Sequence, residues 1–283
     1  MLFLEAKAKI NFGLDIISRR EDGYHNIRSV FLPLKFSDEI IIDKSSYFDF
    51  QVEGDVPSNE DNTVYKAVAL FFGLLKEKPK IKLKLKKNIP AGAGLGGGSS
   101  DAAYTLIGLN KLYGDPFSYE DLKNMALKIG MDVVFFLKSK PGLVEGKGDK
   151  ITEIEFGRYP VLLVFSDIII STAWAYKRFD DLGRRLTNHI KFIKIIEREN
   201  KKGLSSIERE EVWNVFESVV FEKYKILREM KDKIEKLGKD CIVMMTGTGS
   251  CFYLIDEDIE KIKFVKKKLG ERSVITSVEW GVV

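Results

Sequence analysis

The chain has 283 residues, is 45% hydrophobic and 31% charged, and carries a formal net charge of +4. It is long enough to bury a sizeable core, with two domains expected, and too apolar for a disordered protein. The mild charge excludes a polybasic nucleic-acid groove but does not oppose an anionic small-molecule substrate.

No apolar run reaches bilayer-spanning length, and the start, MLFLEAKAK, lacks a basic n-region followed by a long apolar stretch, so a cytoplasmic protein is expected. From Ala8 to Ile16 the residues alternate. Ala8, Ile10, Phe12, Leu14 and Ile16 point one way, while Lys9, Asn11, Gly13 and Asp15 point the other. This predicts a strand with one apolar face and with Lys9 beside Asn11 on the polar face. Further strands are expected at Arg28–Phe36, Glu39–Asp43 and Phe48–Val52, then a helix at Thr63–Lys76 and a strand at Ile81–Lys87. A glycine-rich loop follows, with a helix running to about Tyr113. Ser118, with Asp121 three residues on, starts another helix that ends near Gly130.

A composition shift at Phe156–Pro160 divides the chain into 1–156 and 157–283. Beyond it come an apolar strand (Val161–Ile170), helices at Ala173–Leu182 and His189–Arg198, and a charged helix at Glu222–Leu237. A hairpin, CIVMM-TGTGS-CFYLI, leads to a helix at Ile259–Leu269 and a last strand at Ser273–Trp280. Strands and helices alternate in this half, which suggests an α+β sandwich. With Thr248 at the hairpin apex, Cys251 faces Met245 and Cys241 faces Ile255, so these two cysteines are not expected to bridge.

The loop PAGAGLGGGSS carries most of the chemical information: Pro90, Ala91, Gly92, Ala93, Gly94, Leu95, Gly96, Gly97, Gly98, Ser99 and Ser100. Glycines let the backbone take positive φ and approach a ligand closely, and the N-terminus of the next helix offers unpaired N–H donors and positive potential. The alternative is a flexible linker. A strand before the loop, helical spacing of Ala103, Leu106 and Ile107 after it, and Ser99 or Ser100 as N-cap favour a phosphate cradle. It is neither a Walker A loop nor a Rossmann fingerprint. Asp132, in GMDVVFFL, lies among apolar neighbours, where a carboxylate needs a cation or helix N–H groups to offset its burial. It reads either as the N-cap of a short buried helix or as a general base with a cation nearby. Lys9 is the candidate cation, although a solvated strand lysine is the plainer reading of Lys9 alone.

Together AKINFGLDI (Ala8–Ile16), IPAGAGLGGGSSDAA (Ile89–Ala103) and TGTGSCFYL (Thr246–Leu254) resemble the three motifs of the GHMP kinases. REDGYH (Arg20–His25), GMDVVFF, GKG (Gly146–Gly148), STAWAY (Ser171–Tyr176) and NVFE (Asn214–Glu217) narrow the resemblance. They point to members that phosphorylate a cytidine diphosphate conjugate of methylerythritol in the non-mevalonate isoprenoid route. The resemblance implies an α+β, two-domain GHMP kinase fold. Its N-terminal domain would be ribosomal-protein-S5-like and its C-terminal domain a ferredoxin-like α/β sandwich, with the active site in the cleft between them.

The resemblance further implies that Asp132 takes the proton from the attacking hydroxyl while Lys9 keeps that carboxylate ionised. Tyr24, His25 and Tyr176 would hold cytosine, Asn11 the methylerythritol portion and Lys147 the diphosphate. Asn62 and Lys87 would line the adenine pocket, and Gly247 would belong to a second ligand-facing loop. His25 could otherwise be a turn histidine, Lys87 one more outward strand lysine, and the Gly247 loop a plain hairpin turn. ATP is implied as co-substrate with Mg²⁺, for which Ser100 is a candidate ligand. The pattern departs from the family's at Lys7 and Val134, where proline is usual, and at Thr246, where serine is common.

Overall fold

The computed structural model describes residues 1–183, 190–270 and 272–281. Two long strands, β1 (Leu2–Arg19) and β2 (His25–Lys44), form its spine and pair antiparallel along most of their length. β2 replaces the two separate strands expected there, because Ser37 and Asp38 stay in register with Lys7 and Ala6 instead of turning. Its other edge is shared. Ile27–Phe31 pairs with β5 (Gly142–Gly146), and Glu39–Lys44 pairs with β4 (Ile81–Lys86). With β3 (Asp49–Glu53) beside β4 and β6 (Lys150–Glu153) beside β5, the sheet has six strands. The β5–β6 hairpin was absent from the expected elements.

Helices α1 (Thr63–Leu75), α2 (Gly97–Leu112), α3 (Tyr119–Ile129) and α4 (Val133–Phe136) pack on one face of this sheet around Phe71, Tyr104, Leu106 and Phe135. Ser118 and Asp121 form the expected capping box of α3. At α2 the expectation needs correcting. The helix starts at Gly97, so Ser99 and Ser100 lie inside its first turn, and Gly96 at the cap position offers no side chain to close it.

The second half forms a four-stranded sheet in the order β10–β7–β9–β8, from β7 (Pro160–Val164), β8 (Ile242–Met245), β9 (Phe252–Ile255) and β10 (Ser273–Ser277). Helices α5 (Thr172–Asp181), α6 (Ile190–Lys202), α7 (Val215–Lys223) and α8 (Lys225–Leu237) lie between β7 and β8, and α9 (Ile259–Leu269) lies between β9 and β10. That strand order and alternation are ferredoxin-like. The expected single helix Glu222–Leu237 is two helices, broken at Tyr224, where ψ of 75° leaves the helical region. The first residue of the helix expected at His189–Arg198 lies outside the described residues.

The β8–β9 register is Met245 to Phe252 and Ile242 to Ile255, one residue away from expectation, because Thr246 N–H bonds Cys251 O and closes a longer loop. Both thiols are free and buried. Between the two sheets, Ala8, Ile10 and Phe12 of β1 meet Val161, Leu163, Met244 and Tyr253, with Phe192 and Ile195 of α6. Leu14 and Ile16 were expected on the same face as these β1 residues. Instead they join the core of α5 and α7, because a bulge follows Asn11, and Gly13 takes φ +84° under the Phe192 ring. No helix among the described residues is long and apolar enough to cross a membrane.

Candidate active site

One strand places both polar residues that the alternation singled out. Bulges after Lys7 and after Asn11 flank Lys9 and Asn11, and both side chains reach a cavity of about 490 Å³ between the two sheets. Lys9 is only 3% exposed. Its Nζ lies 2.6 Å from Asn11 Oδ1, 3.9 Å from Asp132 Oδ2 and 4.7 Å from the centre of the Phe31 ring. Burial lowers the Lys9 pKa below its ordinary 10.5, and the charge of Asp132 works against that shift. Asp132 does occupy the cap position of α4, but its carboxylate makes no capping hydrogen bond. That leaves the carboxylate facing the cavity, with its side chain 36% exposed.

The glycine-rich wall is formed by residues Pro90 to Ser99, all of which line the same cavity. Gly94 and Gly96 are in the left-handed region at φ +79° and +73°. Their shape also admits nothing larger. A Cβ on Gly94 would lie 2.2 Å from Thr246 O, and one on Gly96 would press on the Phe136 ring and on Lys9 Cε. Ser100 is buried behind the loop, and its Oγ has no hydrogen-bond partner among the described residues.

Asn62 and Lys87 line the cavity too, with their polar groups already engaged. Asn62 caps α1 through Val64 N–H at 2.8 Å and donates to Pro57 O at 2.7 Å. Lys87 is not an outward strand lysine: its ammonium pairs with Asp38 and with Asp101, the latter at 2.6 Å. Burial pushes the Asp101 carboxyl up to about 8, against the pull of Lys87.

The second glycine loop meets the first directly. Thr246 Oγ1 accepts from Asn11 N–H at 3.1 Å and lies 3.3 Å from both Asn11 Oδ1 and Gly94 O. Gly247 and Thr248 line the cavity, and the Thr248 hydroxyl is 3.2 Å from that of Thr172. At the remaining wall, Tyr176 lines the cavity and stacks at a tilt against His25, with ring centres 5.1 Å apart. Lys147 Nζ lies 5.2 Å from the centre of the Tyr24 ring, which is 55% exposed. Gly148 places the GKG turn against Met131 and Asp132. Tyr24, His25 and Lys147 therefore surround the cavity mouth without lining the cavity itself.

Each departure from the motif pattern is accommodated. Lys7 is buried and pairs with Glu279 at 3.3 Å, Val134 packs into the core of α4, and the Thr246 hydroxyl is fully used. Sequence reasoning missed Asp180, which holds His25 Nε2 at 2.7 Å, and Asp38, which accepts from Asn88 N–H at 2.6 Å and Ile89 N–H at 2.8 Å. Neither stands in a motif, so only their spatial neighbours reveal them.

Residues 62–140 match the family model described as the GHMP kinases N terminal domain. Solved structures of a homoserine kinase and a mevalonate kinase each superpose on 99% of this chain with a TM-score of 0.67, at 13% and 15% identity, which establishes the shared fold. The chain belongs to the GHMP kinases. A protein of Fusobacterium nucleatum is 35% identical over 90% of this chain and 88% of its own length. One of Persephonella marina is 34% identical over 94% and 96%, and both are named 4-diphosphocytidyl-2-C-methyl-D-erythritol kinase. A crystal structure of 4-(cytidine 5'-diphospho)-2C-methyl-D-erythritol kinase covers 99% of both chains with a TM-score of 0.84 and 28% identity. Within the superfamily, this chain is a member of the 4-diphosphocytidyl-2-C-methyl-D-erythritol kinase family.

Proposed function

We propose that this protein transfers the γ-phosphoryl group of ATP to the 2-hydroxyl of 4-diphosphocytidyl-2-C-methyl-D-erythritol. It would do so in the cytoplasm, within the methylerythritol phosphate route to isoprenoids. The observation that carries this reading is the Lys9–Asp132 pair, 3.9 Å apart, facing a cavity walled by the Pro90–Ser99 loop. The substrate hydroxyl oxygen attacks the γ-phosphorus as its proton passes to Asp132, and the bond to the β–γ bridging oxygen breaks to release ADP. The buried Lys9 ammonium offsets the carboxylate charge and steadies the charge that develops on the transferring group. Asn11 fixes the ammonium through its Oδ1, and in this reading it also touches the methylerythritol portion.

The backbone N–H groups at the uncapped start of α2 hold the phosphates, and Asn62 and Lys87 border the adenine end. Tyr24, His25 and Tyr176 receive the cytosine, whose flat face suits aromatic stacking, while Lys147 meets the diphosphate. ATP reacts as its Mg²⁺ complex. Ser100, whose hydroxyl is unpartnered but buried just behind the loop, is the residue that would offer that ion an oxygen ligand, and the ion would supply positive charge against the phosphates. Among the described residues there is no cluster of three or more acidic, histidine or cysteine side chains to hold a resident metal. We place the domain division at 156/157, between the six- and four-stranded sheets.

The test is ADP release from ATP and Mg²⁺ with the cytidylated methylerythritol, set against the same mixture with mevalonate. Turnover with the cytidine conjugate alone is expected. A preference for mevalonate would reassign the substrate, and ATP binding without turnover of either alcohol would make the protein a nucleotide-dependent regulator.

A further inference from the structure

The NVFE motif (Asn214–Glu217) has so far no part in the chemistry, yet it holds the second glycine loop from behind. Asn214 is 3% exposed. Its Nδ2 donates to Met245 O and to Gly247 O, both at 2.7 Å, so both amide protons are used at the start of the loop. Its Oδ1 accepts from Phe216 N–H at 2.9 Å and caps α7. Glu217, one turn along, accepts from Met245 N–H at 2.8 Å and pairs with Lys231 at 2.6 Å. The backbone next to Asn214 is tied to β1, because Leu14 N–H donates to Trp213 O at 2.9 Å. The N-terminus of α7 thus grips both the strand carrying Lys9 and the loop carrying Thr246.

We propose that Asn214, supported by Glu217, is a positioning residue for phosphoryl transfer that acts through Thr246. The chain of contacts is continuous. Asn214 fixes Met245 and Gly247, which flank Thr246. The Thr246 hydroxyl accepts the Asn11 N–H, and Asn11 Oδ1 accepts the Lys9 ammonium at 2.6 Å. A loop free to shift by an ångström would release Asn11 and let the ammonium drift from Asp132, and misplacement on that scale costs rate out of proportion to its size. This inference rests on the kinase reading above.

The amide has two separable tasks, which makes the test discriminating. Serine and aspartate cap helices about as well as asparagine. Neither can supply two donors to the loop, and aspartate would also face two carbonyl oxygens with like charge. Helix stability alone therefore predicts three equivalent proteins, whereas positioning predicts an order. With ATP and the cytidylated substrate, kcat should fall by about tenfold in Asn214→Ser and further in Asn214→Asp. KM for ATP should change by less than about threefold. In a Thr246→Val background, which already lacks the hydroxyl, Asn214→Ser should cost less than about twofold. Equal kcat in all three residue types, or an unchanged Asn214→Ser effect in the valine background, would overturn the proposal. If Asn214→Asp does not fold, Asn214→Ser and the double variant decide alone. A wild-type protein inactive on the cytidylated substrate would instead reject the kinase reading.

Discussion

Lys9 and Asp132 illustrate how burial and pairing divide the work between two groups. The lysine is almost wholly enclosed while its acidic partner keeps access to the cavity, so the cation is fixed and the carboxylate can accept a proton. Asp132→Asn keeps the shape and loses the proton acceptor. It should lower kcat by about 10²–10⁴-fold and leave ATP affinity within about twofold, as read from steady-state rates and nucleotide titration. Turnover equal to wild type would make Asp132 a structural residue. In the proposed mechanism Lys9 works as a cation, and burial lowers its pKa, so activity should decline on the alkaline side at a pH below the ordinary lysine value of 10.5. In Lys9→Arg the charge persists to higher pH, and the alkaline limb of kcat should move up or vanish even though the maximal rate is lower. An identical limb in both proteins would assign it to another group. Asp180 belongs to this scale as well, since its contact with Nε2 fixes the orientation of the His25 ring beside Tyr176.

The elements that matter most meet where β4 ends and α2 begins. There Lys87 ties Asp38 of β2 to Asp101 of α2, and the glycine loop spans the gap between them. Two carboxylates share one ammonium, and burial raises Asp101 from 3.8 to about 8. The folded protein thus keeps a proton that the unfolded chain loses at ordinary acidic pH. Its stability should fall as pH rises from about 4 toward about 8 and level off above that. Asp101→Asn removes this titration, so the difference in Tm between about pH 5.5 and about pH 8.5 should shrink in thermal unfolding. A difference of the same size in the variant would place the proton elsewhere. The element boundaries that the sequence missed have similar local causes. The long β2 survives its polar Ser37–Asp38 step because the Asp38 carboxylate is satisfied by Asn88 and Ile89 N–H groups from beyond β4.

For the whole molecule, the decisive feature is the apolar layer between the two sheets, where Phe12 is fully buried against Phe156 with ring centres 5.2 Å apart. That layer carries the cavity at one edge, so the site is only as rigid as the packing beneath it. Phe12→Ala should cost about 3–5 kcal/mol. A shared core also predicts one cooperative thermal transition, lowered as a unit by about 6–15 °C. Calorimetry showing two transitions, of which only one moves, would mean that the sheets unfold independently.

Much was legible in the amino-acid order alone. Alternation put Lys9 and Asn11 on one face, glycine spacing marked the loop that walls the cavity, and a lone acid among apolar neighbours singled out Asp132. These signals are local, because side-chain direction and backbone freedom depend on nearest neighbours in the chain. The distance from Lys9 to Asp132, the capture of Lys87 by two carboxylates, the grip of Asn214 on the second loop and the redirection of Leu14 at Gly13 had to wait for the fold. Each depends on groups far apart in sequence meeting at a separation of a few ångströms. Only the packing of the two sheets against each other sets such distances.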